Sequence, residues 1–493
     1  MRSETSVGLT AALLLSTAVA RADVEISAKP TSNMSCDAGV CTATAQKAVL
    51  NVSDLATMLA SGDVAVKTGS IARDIEIDQP LTWSNTSRLT LDAQASVTVK
   101  KQITAAGQGA LTVITNDTGG ANAKNKTGEF IIVPERGSVQ FWDLGSSLII
   151  DGNSYTLVGD IKTLASDIAA NPSGFYALAK PYDASGDGVY IGSAIPTELD
   201  GVFEGLGNAI SNFTVGLEGN STQLFGFYSD VSFTAAVRHF GLLSMTTDSV
   251  GIPVSSAVGG LAAGNGGLID SSWVTGKFSV PRGASSVGGL AGVSIGEIER
   301  SYVKVDILTD ESTAAYIGGL AGENYDGTIT ESFSAGSVAA THGSELTVGG
   351  LVGFNAGAID NSYSVSLVRE GGGNGGSLIF GGFTGQNDSN GTITSSYAAG
   401  KIVTRDREAT DLGGLIGFDA SAPGSLADTY WNVDKGVSDP SQGAGNVKDD
   451  PGITGLTTQQ LQSGLPDGFD PKIWGSDPNI NNGYPYLLAN PPR

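Results

Sequence analysis

The sequence has few of the residues that enzymes most often use for acid–base and nucleophilic chemistry. Among 493 residues there are only two histidines, His239 and His342, and two cysteines. Neither histidine lies near a nucleophile motif, and no G-x-S-x-G elbow, P-loop or correctly placed dinucleotide fingerprint is present. We therefore expect no catalytic residue and no cofactor, and we expect both histidines in surface or turn positions.

Basic residues are also scarce. Lys and Arg number 27 against 50 Asp and Glu, which gives a formal net charge of −23. So acidic a surface repels nucleic-acid phosphates and anionic lipid headgroups. No segment after the N-terminus has the roughly 18 consecutive apolar residues of a spanning helix. We therefore expect neither nucleic acid binding nor membrane insertion.

The first 22 residues have the pattern of a secretory signal peptide. Arg2 precedes the apolar run Val7–Ala20, which is too short for a stable membrane anchor. Ala20-Arg21-Ala22 supplies the small residues that signal peptidase requires, so cleavage is expected before Asp23. A buried N-terminal helix is the alternative interpretation. We expect an exported protein, whether secreted, held at the cell surface or periplasmic.

The two cysteines, Cys36 and Cys41, lie close together soon after the expected cleavage site. In an oxidising compartment this spacing most simply predicts one disulfide. A loop so short loses little entropy on closure, so the bond would hold a local turn. Two cysteines alone do not make a structural zinc site.

Glycine, in contrast, is abundant, with 69 residues, and its placement is periodic. Six copies of one pattern recur at intervals of about thirty residues. In the fourth copy the equivalent positions hold Leu351, a small polar residue Asn355, an aliphatic Ile359, a hydroxyl Ser362 and an aromatic Tyr363. The copies begin at Gly259, Gly288, Gly318, Gly349, Gly381 and Gly413.

The repeats predict an all-β fold, a right-handed parallel β-helix with short capping helices. Their segments alternate and are rich in Val, Ile, Thr and aromatic residues, and no helical pattern separates the copies. Stacked coils would form an internal Ile column, an aromatic column, and an Asn column at a left-handed turn with bonds between amides. The paired glycines are expected at turns with positive φ and at close approaches between coils. The serine column is expected to be structural.

The pattern GGLxGxN…G-x-I-x-x-S-aromatic resembles the GLUG repeat of bacterial filamentous-haemagglutinin-like surface adhesins. Leu199–Val215 resembles the segment that precedes such repeats, and Trp474–Leu487 resembles the segment that closes them. The resemblance covers about residues 176–488. It implies a secreted β-helix, but GLUG-type repeats occur in several kinds of host protein.

The predicted organisation has five parts. Residues 1–22 are the signal peptide, and residues 23–157 form irregular β-helix coils with a capping helix at 52–61 after a Ser53 or Asp54 cap. Residues 158–215 hold a second helix and lead-in strands, 216–440 the GLUG-type β-helix, and 441–493 a loop and capping segment.

Polar motifs that could carry chemistry are weak. Asp183, Ser185, Asp187 and Gly188 resemble the start of a calcium loop, but the twelfth position is Ala194 rather than a bidentate Glu. A polar turn is the main interpretation and a weakly bound Ca²⁺ the alternative. Asp449-Asp450 has no partner acid at catalytic spacing and is expected to be solvated.

Three functions remain open from the sequence. The first is a non-enzymatic, adhesin-like scaffold that presents loops to an unknown surface or glycan ligand. The second is a carbohydrate-active β-helix enzyme, either a lyase or a hydrolase. The third is a structural module of a biofilm or cell envelope.

Overall fold

Short strand-forming segments separated by glycine turns can bury their apolar faces only by stacking on one another. In the computed structural model they form a β-solenoid of about nine turns with few helices. This confirms the parallel β-helix fold expected from the repeats. The structure describes residues 23–117, 128–218, 224–251, 256–281, 283–310, 315–341, 345–370, 377–404 and 411–492. The expected signal peptide and His342 lie outside these residues.

The N-terminal part forms a first solenoid. Equivalent strands of successive coils pair in parallel, with Leu111 beside Leu89 on one side and Leu148 on the other. These leucines are buried in the solenoid core. Its strands are Asp23–Ser27, Met34–Asp37, Val40–Ala43, Ala48–Asn51, Val64–Lys67, Asp74–Ile77, Leu81–Trp83, Arg88–Asp92, Val97–Val99, Ile103–Ala105, Ala110–Ile114, Phe130–Ile132, Val139–Phe141 and Ser147–Ile150.

The first helix, Val52–Ser61, packs beside Leu81–Trp83, the edge strand of its sheet. Its N-cap is Asn51, whose Oδ1 accepts hydrogen bonds from the backbone N–H groups of Ser53 (2.8 Å) and Asp54 (3.3 Å). The expected Ser53 or Asp54 cap is therefore wrong. Asn51 has extended backbone and an acceptor side chain, which place the cap two residues before Ser53.

The chain reverses its direction at Asp151-Gly152. Both residues have positive φ, 47° and 84°, and Ile150 pairs with Asn153 across an antiparallel hairpin. Asp-Gly suits such a two-residue turn because Gly has no β-carbon and Asp tolerates left-handed backbone. All later coils therefore stack from the strand Asn153–Val158 onward.

The second solenoid begins at this reversal and is continuous with the first. The Phe141 N–H donates to the Ala179 carbonyl (2.7 Å) and the Val139 N–H to the Leu206 carbonyl (2.9 Å). The second helix, Ile161–Ala170, has Asp160 as its N-cap and buries Ile161, Leu164 and Ile168, as expected.

Four strand faces, A to D, run along the second solenoid. Face A contains Leu224–Phe225, Ser256–Gly259, Ala284–Gly288, Ala315–Gly318, Glu345–Gly349, Ser377–Gly381 and Asp411–Gly413. Face B contains Tyr228–Val231, Ala262–Asn265, Ala291–Ser294, Ala321–Asn324, Val352–Asn355, Thr384–Asn387 and Ile416–Asp419.

Faces C and D are continuous in some coils. Face C contains Asn153–Val158, Phe175–Leu178, Val202–Glu204, Ala236–Arg238, Leu268–Asp270, Glu297–Glu299, Thr328–Thr330, Ala358–Asp360, Thr392–Ala398, Leu426–Asn432 and Ile453–Leu456. Face D contains Tyr182–Asp183, Val189–Ile191, Ala209–Ser211, Thr214–Glu218, Gly241–Gly251, Trp273–Val280, Tyr302–Asp310, Phe333–Thr341, Tyr363–Ser364, Leu367–Glu370 and Ile402–Val403.

The repeat offsets coincide with the strand register. Ile359 pairs with Ile329 in the preceding coil and with Ile393 in the next, and all three are buried. Leu351 is fully buried in the same core. The Ser362 N–H donates to Ser396 Oγ (3.1 Å), so the hydroxyl column joins successive coils.

The asparagines form a ladder of amide hydrogen bonds. Asn324 Nδ2 donates to Asn355 Oδ1, and Asn355 Nδ2 donates to Asn387 Oδ1, both at 2.8 Å. These residues do not have positive φ, so the expected left-handed backbone at the Asn column is wrong. Left-handed residues instead form a column at the corner between faces C and D, next to the hydroxyl column. They are Leu206, His239, Ser271, Arg300, Glu331, Asn361, Ser395 and Asp428.

The paired glycines fit the close-approach explanation and not the positive-φ explanation. Neither Gly349 nor Gly350 has positive φ. A β-carbon on Gly349 would lie 1.9 Å from the Val352 carbonyl oxygen, and one on Gly350 would lie 2.1 Å from the Gly382 carbonyl oxygen. Glycine is required here because backbone occupies the space of a side chain.

The aromatic column lies outside the coil core and forms a separate cluster. Successive rings stack nearly parallel, as in Phe333 and Tyr363 with centroids 4.8 Å apart. Residues from the C-terminal segment, including Phe469 and Trp474, cover the column. The helix Thr458–Leu461 and the strands Trp474–Gly475 and Tyr486–Leu487 belong to this segment.

The C-terminal segment therefore does more than cover the end of the solenoid. Trp474 Nε1 donates to Asn361 Oδ1 (2.9 Å), and further back Asn490 Nδ2 donates to the Glu331 carbonyl (3.1 Å). The segment runs back along the side of the coils.

Replacing Ile359 with Asp should destabilise the fold by several kcal/mol, because an uncompensated charge would be buried. Thr328→Asp adds the same charge at an exposed position of the neighbouring coil and should have little effect. Asp360 is not a neutral control, since it accepts hydrogen bonds from Thr394 and Asn361. Equal thermal unfolding of Ile359→Asp and Thr328→Asp would contradict the register.

Replacing Asn355 with Ala should cost about 1–3 kcal/mol for each buried amide group left without a partner. Asn324 loses its acceptor and Asn387 loses its donor in this variant. The exposed Asn390→Ala is the matched control and should unfold like the wild type. Chemical denaturation measures both, and a stable Asn355→Ala would show that the ladder contributes little.

Candidate functional site

A cavity with partly polar lining lies where the Asp151-Gly152 hairpin meets the second solenoid. Its volume is about 520 Å³. Phe130 and Tyr155 line it from the side of the hairpin, and Leu488 of the C-terminal segment lies at its rim. The charged residues of the second solenoid that line it are Glu204, Arg238, His239, Asp270, Glu299 and Arg300. We call this space the junction cavity.

The left-handed corner aims several of these side chains at the cavity. His239, Ser271 and Arg300 occupy that corner in three successive coils, with φ of 48°, 49° and 46°. Stacking in register places them above one another. His239 therefore lies at a turn, one of the two positions expected for it, and it is buried there, with 3% exposure.

His239 forms a buried pair with Glu204. The two atoms His239 Nδ1 and Glu204 Oε1 are 3.0 Å apart, and the same oxygen accepts from the Leu206 N–H at 2.9 Å. Burial disfavours the charged imidazole, but the Glu204 carboxylate outweighs burial, and the pKa of His239 is raised. The Glu204 carboxylate therefore favours the protonated form of His239.

Asp270 and Arg300 form the second buried pair. Arg300 Nε donates to Asp270 Oδ1 at 2.9 Å, and Arg300 Nη1 lies 2.9 Å from Glu129 Oε2. Burial alone would raise the pKa of Asp270, but the Arg300 hydrogen bond outweighs it and lowers that pKa. This pair also joins the second solenoid to the Glu129 segment of the first.

Arg238 differs from the other charged residues of the cavity. Its Nε is buried and has no hydrogen-bond partner among the described residues. The carboxylates around it already have donors: Asp151 accepts from the Thr115 N–H (2.7 Å) and Oγ1 (3.0 Å). In the strand register Arg238 lies between Glu204 and Asp270, but these carboxylates bond His239 and Arg300, and Arg238 forms no ion pair with any described residue.

A second cavity of about 440 Å³ adjoins the first and shares Arg238 and Leu268 with it. It crosses four successive coils, from Phe233 through Gly266 and Ile295 to Thr328. Phe233 is 76% exposed and Ile295 is 42% exposed. We call this space the coil groove. The side chains of Phe233 and Ile295 give it exposed apolar surface next to glycine backbone.

The residues singled out from the sequence lie elsewhere. Leu351, Asn355, Ile359, Ser362 and Tyr363 are buried in the coils and line neither space. A disulfide joins Cys36 and Cys41 across the hairpin of Met34–Asp37 and Val40–Ala43.

The expected calcium loop holds its carboxylates in separate hydrogen bonds. Asp183 Oδ1 accepts from the Ser185 N–H (3.0 Å), and the two oxygens of Asp187 accept from the hydroxyls of Tyr182 (2.7 Å) and Tyr190 (2.6 Å). Ala194 is buried in the core. Among the residues that the structure describes, no group of three His, Cys, Asp or Glu is arranged to hold a metal ion.

Asp449 and Asp450 lie in the loop after the last repeat, where Asp450 Oδ1 accepts from the Gly452 N–H (2.9 Å). Within the described ranges, no helix has the length and apolar character needed to cross a membrane.

The fold and these two spaces define a parallel β-helix protein with an external groove. No family model matches the sequence. Halomucin of Haloquadratum walsbyi (strain DSM 16790 / HBSQ001) is 27% identical over 277 residues, which is 52% of this chain and 3% of halomucin. The chain thus spans only a small fraction of the length of that relative.

A solved structure with a similar outline is described as a "putative immunoglobulin A1 protease" from Bacteroides ovatus. The likeness covers 69% of this chain and 93% of that chain, with 18% identity and a TM-score of 0.43. A likeness at this level carries no argument about activity.

Replacing Arg300 with Met should cost about 3–5 kcal/mol at neutral pH, because it leaves Asp270 buried without its cation. The pair stabilises the fold above the unfolded pKa of Asp and loses that effect as pH falls through the lower folded pKa. The loss of stability should therefore be smaller at about pH 3 than at neutral pH.

Thermal unfolding at both pH values measures this difference. Lys29→Met removes an ion pair at the surface, with Glu25, and is the control that should change little. An Arg300→Met variant with the same small effect at both pH values would contradict the role of the pair.

Proposed function

We propose that this protein is an exported, non-enzymatic β-helix scaffold, adhesin-like in its role, that binds a glycan chain along the coil groove. The observation that carries the proposal is that two neighbouring spaces, one of which crosses four coils, share Arg238 and Leu268 in their walls. Four coils span about 14 Å at the usual strand spacing. A site of that length suits a chain of sugars better than a single small molecule.

The chemistry of the groove supports this ligand class. Exposed Phe233 offers an aromatic face, against which the apolar face of a sugar can pack. The groove is also lined by glycine backbone, by polar side chains such as Thr234 and Thr328, and by the carboxylates of Glu297 and Asp326. A solenoid held by hydrogen bonds in every coil supplies a rigid surface that needs little rearrangement on binding. The resemblance to GLUG repeats and the signal-peptide pattern favour a role outside the cytoplasm.

A second candidate function is a carbohydrate-active enzyme. The observation in its favour is the buried His239–Glu204 pair beside Asp270, since carboxylates cleave glycosidic bonds in many enzymes. In this structure both carboxylates are bound to cationic partners. A role as a biofilm or envelope module would use the same groove for assembly.

Replacing Phe233 with Ala should weaken glycan binding by roughly three- to tenfold, as expected for loss of one aromatic stacking contact. The measurement is a glycan array of the mature protein, followed by titration of the ligand that binds best. Trp142 is 61% exposed and does not line either space, so Trp142→Ala is the matched control.

Two outcomes would contradict the proposal. One is equal binding by the Phe233→Ala and Trp142→Ala variants, which would place the ligand elsewhere. The other is release of reducing or unsaturated ends from a bound polymer by the purified protein, with loss of that release in Glu204→Gln. That result would favour the enzyme.

A further inference from the structure

We propose that Arg238 binds a carboxylate of the ligand, so that the glycan is an acidic one that carries uronic-acid-type groups. This inference rests on the proposed glycan-binding function and adds the chemical class of the ligand. It follows from the distribution of partners within the junction cavity and the coil groove.

Three carboxylates that line the junction cavity have hydrogen-bond partners within the protein. Glu204 accepts from Leu206 and pairs with His239, and Asp270 accepts from Arg300. Asp151 accepts twice from Thr115. Each of these carboxylates already has a partner within the protein, so it does not need a cationic ligand.

The Arg238 guanidinium lacks such a partner. Its Nε is enclosed and makes no hydrogen bond to any residue that the structure describes. A buried donor without an acceptor costs free energy, and a ligand that supplies the acceptor recovers it. A guanidinium presents its N–H groups in a planar fork, which matches the two oxygens of a carboxylate.

The position of Arg238 determines how the rest of the ligand would lie. The residue belongs to the walls of both spaces, so a carboxylate on it has room on either side for neighbouring sugars. Tyr155 also lines the junction cavity. Burial raises the pKa of Tyr155, which keeps its hydroxyl neutral and able to donate to the same ligand.

The net charge of the chain gives this inference a distinctive salt dependence. A protein of formal charge −23 repels an acidic polymer at long range. Salt screens that repulsion, whereas a charge pair in an enclosed site is screened much less. Binding of an acidic glycan should therefore hold or improve between 10 mM and about 150 mM salt, unlike binding to a basic patch.

The test compares polygalacturonate with its fully methyl-esterified form, which has the same backbone without the negative charge. We expect the mature protein to bind polygalacturonate at least tenfold more tightly, measured by calorimetry. Arg238→Gln should abolish this preference, because it should weaken binding of polygalacturonate much more than binding of the esterified polymer. Lys277→Gln, at an exposed position of the same solenoid, should keep the preference.

The possible results separate the two proposals. If both polymers bind equally and Phe233→Ala weakens both, the inference about Arg238 fails and the groove function stands. If neither polymer nor any array glycan binds, both proposals fail. Equal, Arg238-dependent binding of dextran sulfate would overturn the preference for carboxylate.

If the Arg238→Gln variant unfolds at a lower temperature than the wild type, the Arg238→Lys and Tyr155→Phe variants are tested in its place. Arg238→Lys keeps the charge but loses the planar fork, so the preference should fall without disappearing. An unchanged preference in a folded Arg238→Lys together with an unchanged preference in Tyr155→Phe would overturn the inference.

Discussion

The whole second solenoid depends on the in-register hydrogen bonding of main-chain groups between successive coils. Because each residue pairs with its equivalent in the next coil, one chemical choice is repeated along the axis: Ile beside Ile, amide on amide, ring on ring. The same constraint explains the second glycine of each pair, since the distance between coils leaves no room for a β-carbon at Gly350. A single change in register would remove all of these contacts at once, so the sequence pattern and the fold support each other closely.

That constraint also explains how much could be predicted from the sequence. The repeat offsets identified the parallel β-helix, because a coil contacts mainly its neighbours and its pattern is therefore local. The same offsets did not show which corner is left-handed. Asn was assigned to it on intrinsic preference, but the corner accepts residues as different as His239, Arg300 and Glu331, and the inter-coil bonds impose their positive φ. The intrinsic backbone preference of a residue is a poor guide here, because the stacking of coils fixes the backbone conformation of the corner for any side chain.

The junction cavity could not be found from the repeats, since nothing in it repeats. It requires the reversal at Asp151-Gly152, which brings the first solenoid against the corner of the second. The Asp-Gly pair was a usable signal for a hairpin. The partners of His239 and Arg300 lie 35 and 171 residues away, at Glu204 and Glu129, and no local pattern connects them. The corner accepts different side chains because the bonds between coils fix its backbone, so these side chains can form the buried pairs of the junction.

The path of the C-terminal segment has a mechanical consequence. A stack of coils that touch only their neighbours can peel apart one coil at a time when its end is pulled. Here the last part of the chain runs back across several coils and is bound to them at Asn361, Tyr397 and Glu331. A force that pulls on the C-terminal segment must first separate this segment from the aromatic column. Many contacts therefore resist the force together before the first coil unwinds. The solenoid should therefore resist unwinding when it is pulled from the C-terminal segment.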